Sequence, residues 1–271
     1  MPGLGSSTRT TLDDMVKEAR SLREEATQQL RNAGKSGSVS TIAFMGYDPP
    51  ANPRDTGSPR DIWRTIHDDR AQAGAANLSS YLQHVRANNP TAHLTLVGHS
   101  YGSLTSSLAL QQLNAQGLHP VNDVVFYGSP GLELKDPAQL GLGSGHAYVM
   151  GAPTDPIVQG AAPLAPLHDW GPNPYEGMLP QLSSQAGLDP AGIYRAGVHD
   201  HTDYARLFHA PDGRDILRMS EYNFAAIVAG LPDNKVLATP QLSPPPQTPI
   251  APNLGLTPFG GHRVRRLLPS E

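Results

Sequence analysis

The stretch Thr95-Leu96-Val97-Gly98-His99-Ser100-Tyr101-Gly102-Ser103-Leu104 constrains this chain more than any other. An apolar run ends there in the pattern G-x-S-x-G, and a helix-like stretch begins at once. A serine in this pattern is pushed into a sharp strand-to-helix turn, where side chains two positions away would collide with neighbouring backbone. Glycine at 98 and 102 removes the collision. The turn lifts the Ser100 hydroxyl above a sheet and places the Tyr101 amide at a helix N-terminus, where it can donate to a developing oxyanion. Leu94 to Val97 reads as the strand, and Leu104, Leu108 and Gln111-Gln112-Leu113 as the helix that Gly117 terminates. This setting argues against a turn whose glycines serve packing alone. His99, under the turn, reads as a packed and hydrogen-bonded histidine, not a catalytic one.

Other segments fit around that turn. The apolar residues Leu12, Met15, Val16, Ala19, Leu22, Ala26 and Leu30 recur at helical spacing, with Asp13 and Asp14 in the first turn and Gly34 past the end. They predict an amphipathic helix over 10–34. Val39 to Met45 predicts a buried strand that empties into Gly46-Tyr47-Asp48-Pro49-Pro50. Such turns take a second oxyanion donor from the loop after an earlier strand. The Tyr47 amide is the candidate, with Gly46 letting the backbone approach the substrate. Ile62 to Val85 marks helical structure interrupted near Gly74. Val121–Tyr127 and His146–Met150 read as further strands, each ending in a small-residue loop. Strands alternating with helices imply a mostly parallel sheet with active groups in the loops at its carboxyl edge.

Between Pro156 and Pro190 the chain is apolar and aperiodic, a candidate wall for an acyl pocket with Trp170 and Met178 as substrate-binding residues. Ile193–Ala196 reads as a last strand and Asp215–Ala229 as a last helix. The expected organisation is a helix at 10–34, a catalytic domain at 38–231 and a Pro-rich tail at 232–271.

At 271 residues the chain can close one sizeable core. Its net charge of -4 gives no electrostatic reason to expect nucleic acid or an anionic membrane as partner. The absence of cysteine removes thiolate nucleophiles, disulfides and Cys zinc sites. No segment reads as a secretory signal or a bilayer span, so the default location is the cytoplasm, with export by a route lacking such a segment left open. The 10–34 helix and the Pro-rich tail are candidate protein-partner segments.

A serine hydroxyl needs a histidine to take its proton, and the histidine needs a carboxylate to fix its tautomer. In elbow-type enzymes the order is Ser, acid, His. Asp155 follows a strand by a short turn and is the candidate acid, with Asp169 in reserve; Asp123 sits at the wrong edge of the sheet. The late cluster Gly197-Val198-His199-Asp200-His201-Thr202-Asp203-Tyr204 offers two histidines, His199 and His201, which the pattern alone does not separate.

Together, Gly98-His99-Ser100-Tyr101-Gly102-Ser103, the Gly46-Tyr47-Asp48 loop, the Ala152-Pro153-Thr154-Asp155-Pro156 turn and His201-Thr202-Asp203-Tyr204 resemble an actinobacterial α/β-hydrolase family known as a domain of unknown function. The resemblance runs from about Val39 to Leu231. It implies an α/β-hydrolase fold, a mostly parallel sheet flanked by helices, with the irregular apolar insertion before the histidine. The family's His-Ser-x-Tyr segment carries over to His201, with Thr202 in place of serine, and its aspartate carries over to Asp155. The expectation is a serine esterase acting on a small-molecule or lipid ester through Ser100, Asp155 and His201, with Tyr101 and Tyr47 as the oxyanion hole and no cofactor or metal. Two alternatives are a non-catalytic binding module on the same fold and a metallo-hydrolase built on His199, His201 and Asp203.

Overall fold

The computed structural model describes residues 1, 3, 6, 11–46 and 69–239. Three parallel strands, β1 (Thr95–His99), β2 (Asp123–Tyr127) and β3 (Ala147–Met150), form a sheet in that order, with Gly98 opposite Phe126 and Phe126 opposite Val149. Side chains alternate across it. Leu96, Val124, Phe126 and Val149 face one core, while Val97, Val125, Tyr148 and Met150 face the other. Both faces are therefore apolar and both are covered, as a parallel sheet requires.

On the first face lie α2 (Asp69–Asn88) and α3 (Tyr101–Ala115), contributing Leu78, Leu82, Leu104 and Leu108. Every residue of α3 from Tyr101 to Leu110 is buried, which marks it as a central helix. It ends where the Leu118 amide reaches back to the Leu113 carbonyl (2.9 Å) and Gly117 adopts φ 69°. That left-handed glycine is the stop signal read in the sequence. On the second face lie α1 (Leu12–Asn32) and α4 (Met219–Val228), with Leu22, Phe224 and Ile227 in the core. The Gln29 side chain of α1 donates to the Tyr222 carbonyl of α4 at 3.1 Å, so the expected first helix is docked on the domain. Among the described residues no helix is long and apolar enough to cross a membrane.

Four expectations change. Among the described residues Val39–Met45 pairs with no strand, and it is only partly buried, with Ile42 59% exposed. Helix α2 runs unbroken through Gly74, because neighbouring turns supply enough packing to absorb one glycine. The residues read as a last strand pair antiparallel in a short hairpin, β4 (Gly187–Leu188) with β5 (Tyr194–Arg195), and do not join the parallel sheet. The last helix starts at Met219, since Asp215–Ile216 (β7) instead pairs with Phe208–His209 (β6).

Residues 232–238, expected to open the tail, are tied to the domain. The Val236 amide donates to Asn223 Oδ1 (2.7 Å) and the Ala238 amide to the Gln181 carbonyl (2.9 Å). Residues 240–271 lie outside the described residues.

Candidate active site

Ser100 leaves β1 with φ 54° and ψ -128° and caps α3. A non-glycine residue in that conformation is strained, and the strain is held by the surrounding bonds. The Ser100 amide donates to the Tyr127 carbonyl of β2 at 2.9 Å, and Ser103 Oγ donates to the Gly98 carbonyl at 2.7 Å. Strand and helix approach so closely that a Cβ on Gly98 would lie 2.9 Å from Ser106 Oγ and 3.0 Å from the Gly102 carbonyl oxygen. Only glycine fits there.

Asp155, fully buried five residues past the end of β3, meets His201 through both carboxylate oxygens, at 2.9 and 3.0 Å from Nδ1. It also accepts the Ile157 amide (2.8 Å) and the Tyr204 hydroxyl (2.8 Å). Burial pushes this carboxyl up, but the His201 ring, the Tyr204 hydroxyl and the Ile157 amide more than offset it and hold Asp155 below the usual carboxylate value. An ionised Asp155 fixes the proton of His201 on Nδ1, which leaves Nε2 as the basic nitrogen. His201 and Ser100 line the same cavity.

The loop carrying His201 is braced from within. Asp203 accepts the amides of His199 and Asp200 (both 3.2 Å) and pairs with Arg218 Nη2 (3.2 Å); Arg218 in turn holds the Gly197 and Arg206 carbonyls. From beneath, His99 Nε2 lies 2.9 Å from the His201 carbonyl oxygen, and its ring sits against Tyr127 and His201. Burial, reinforced by the neighbouring His201, lowers the His99 pKa to about 3, so the ring is neutral and donates this bond. The reading of His99 as a packed histidine agrees with this environment.

The geometry also separates the alternatives. His199 is exposed, and the Asp203 carboxylate is engaged by two amides and Arg218, so the His199, His201 and Asp203 cluster does not converge; among the described residues no such group is arranged to hold a metal. Asp169 is exposed at the end of the 3-10 turn Ala162–His168, and Asp123 sits between His93 (2.9 Å) and His146 (2.8 Å) at the opposite edge of the sheet.

Trp170 and Met178, expected at the substrate, belong to the core. Trp170 is 1% exposed and packs edge-on to Tyr101, while Met178 packs on the same cluster; neither lines the cavity at Ser100. The Gly46 carbonyl accepts from Asn77 of α2 (2.8 Å), and Gly46 does not line that cavity either. Tyr47 lies outside the described residues. The early backbone that does reach the serine is Gly3, where an added Cβ would lie 2.5 Å from Ser100 Cβ and 2.9 Å from Oγ.

Sequence reasoning missed two contributors. Gly128 ends β2 with φ 55°, and a Cβ there would lie 3.1 Å from Asp155 Oδ2 and from His201 Cε1. The Tyr204 hydroxyl bridges Asp155 and the Ala152 amide (2.8 Å each). The glycine closing a strand of the parallel sheet, and the tyrosine of the His-x-x-Tyr segment, were the available signals.

A parallel sheet whose first described strand turns through a strained serine into a buried helix, with the acid and histidine delivered beyond later elements, defines the α/β-hydrolase class. The chain belongs to that family: an alpha/beta hydrolase family model matches residues 1–166. It is also 37% identical over 201 residues to uncharacterized proteins of Mycobacterium bovis and Mycobacterium tuberculosis, a match covering 73% of this chain and 70% of each relative. No solved structure matches it significantly.

Proposed function

We propose that the protein is a serine hydrolase that cleaves carboxylic esters through an acyl-enzyme on Ser100. The observation that carries this reading is the strained backbone of Ser100, at φ 54°. Strain of this kind persists only where surrounding structure enforces it, and Ser100 lines the same cavity as His201, a histidine held by a buried carboxylate.

In the first half-reaction Ser100 Oγ bonds to the ester carbonyl carbon as its proton passes to His201 Nε2. Asp155, already ionised, stabilises the imidazolium without taking the proton. The Tyr101 amide at the head of α3 is one oxyanion donor. For the second, the Gly3 amide is a candidate alongside Tyr47, since Gly3 packs on Ser100. The tetrahedral intermediate expels the alcohol, which leaves with the proton from His201. Water then gives its proton to His201 and attacks the acyl-enzyme, releasing the acid and restoring Ser100.

Stopped-flow hydrolysis of p-nitrophenyl acetate and butyrate tests the reading. It expects a burst of p-nitrophenol approaching one equivalent of enzyme, absent in Ser100→Ala. A release that persists at wild-type rate in Ser100→Ala overturns it.

A further inference from the structure

The segment that follows Asp155 has two sides. Its inner side belongs to the catalytic cavity, because Pro156, Ile157, Gly160 and Ala161 line the space that Ser100 and His201 share. From Pro156 to Leu167 the chain carries no charged or titratable residue, and its second half is the 3-10 helix Ala162–His168. Three residues per turn put positions i and i+3 on one face. The helix therefore sorts its side chains: Ala162 and Ala165 are buried, Pro163 and Pro166 share an exposed face, and Leu164 and Leu167 share another. Leu167 is 78% exposed and Leu164 47%.

The leucines are held outward by bonds at both ends of the segment. At its start the Ile157 amide donates to Asp155 Oδ1 (2.8 Å) and the Gln159 amide to the Asp155 carbonyl (3.0 Å). At its end the Trp170 amide donates to the Ala165 carbonyl (3.0 Å), and the Trp170 carbonyl accepts the Leu132 and Glu133 amides (3.0 and 2.7 Å). Because the Trp170 ring and the two alanines are buried, turning the leucines inward would pull core residues out. Single exposed leucines are ordinary on a protein surface. Two on one face, flanked by prolines in a segment without charge, make a contiguous apolar ridge, and ridges of this kind mark interaction sites. Pro163 and Pro166 also bring no backbone N–H that would need water.

We infer that the ridge Pro163–Leu167 docks the protein on a zwitterionic lipid surface, from which the ester substrate enters the Ser100 cavity. The substrate half of this inference rests on the esterase reading of Ser100, and the docking half does not. Apolar side chains that enter a membrane interface need no matching polar partner, whereas a protein partner presents a polar rim to be met. The ridge offers only apolar groups. Its lack of basic residues, on a chain of net charge -4, removes any attraction to anionic lipid and leaves the zwitterionic surface as the match. The same uncharged stretch continues from the ridge into the wall of the catalytic cavity, so docking brings the lipid surface to the site that would use it.

Co-sedimentation with phosphatidylcholine vesicles tests the docking on the wild type and on the double variant Leu164→Asp, Leu167→Asp. The control is Leu188→Asp, which charges a leucine 63% exposed on the β4–β5 hairpin and absent from the cavity wall. Thermal midpoints report folding, and Leu167→Gln replaces the double variant if its midpoint falls. The expected result is a wild type half-bound at or below ~1 mM lipid, with binding at least ~10-fold weaker in the double variant and unchanged in Leu188→Asp. The ratio of hydrolysis of emulsified tributyrin to that of dissolved p-nitrophenyl acetate should fall at least ~10-fold in the double variant. A wild type left in solution at ~5 mM lipid, or equal binding by wild type and double variant, would overturn the docking. So would a dimer in sedimentation equilibrium that the double variant abolishes, found without vesicle binding, which would assign the ridge to a second copy. Vesicle binding by a wild type that hydrolyses neither ester would uphold the docking and refute the esterase reading.

Discussion

Glu221 on α4 is fully buried against α1. Burial pushes its carboxyl from 4.5 up to about 7; the Ser21 hydroxyl opposes the rise, and the nearby carboxylates Glu25 and Glu18 of α1 add to it. The folded protein thus holds this proton more tightly than the unfolded chain. Below pH 4.5 both states are protonated and the group has no effect. As pH rises from 4.5 toward 7 the unfolded chain releases the proton first, so stability falls, and above 7 the loss is complete. A shift from 4.5 to about 7 at ~1.4 kcal/mol per pKa unit corresponds to ~3 kcal/mol. Glu221→Gln keeps the shape and removes the titration. Urea unfolding of both proteins between pH 5 and 8.5 should give nearly equal stabilities at the acid end and a variant more stable by ~3 kcal/mol at the alkaline end. Parallel stability curves across that range would refute the assignment of a raised pKa to Glu221.

Three further outcomes follow from the site and its supports. Tyr204→Phe removes the hydroxyl that Asp155 and the Ala152 amide share, so it should cost ~1–3 kcal/mol in stability by urea unfolding; an unchanged stability would count against the Tyr204 bond. Gly128→Ala puts a methyl 3.1 Å from both Asp155 and His201 on a left-handed backbone, and should lower kcat on p-nitrophenyl butyrate by ~10–100-fold while circular dichroism remains native. His93 is raised above its usual value by its bond to Asp123, so the stabilisation it gives is present below the ordinary histidine pKa and lost as pH rises through the folded value; His93→Gln should lower the thermal midpoint at pH 5.5 and barely change it at pH 8.5.

What could be read directly in the sequence was local. The turn at Ser100 needs only neighbouring residues, since Gly98, Gly102 and the following helix fix it within ten positions. β2 and β3 were legible because buried parallel strands are continuous apolar runs, and Gly117 marked the end of α3 because its left-handed conformation is a local requirement. Asp155 was read from chain order and His201 only through the family resemblance, and the two side chains meet within hydrogen-bond distance. The failures were nonlocal. Val39–Met45 has a strand's composition, but pairing depends on what stands beside it, and among the described residues the outer edge of β1 meets Met1, at Val97 and His99. Trp170 lies in an aperiodic segment that resembles a surface loop, yet the sequence does not reveal that Gly131 and Tyr101 open a core position for it. The start of α4 moved because Asp215 and Ile216 pair across a hairpin with Phe208 and His209, a contact that outweighs their helical spacing.

The most direct test of the central claim is intact-mass labelling with a fluorophosphonate, run on the wild type beside Ser100→Ala and His201→Ala. The account predicts one adduct on the wild type, mapped to Ser100, none on Ser100→Ala, and labelling slowed by at least ~100-fold on His201→Ala, where the nucleophile has lost its base. A folded wild type that takes no adduct, or an adduct that survives in Ser100→Ala, would contradict it.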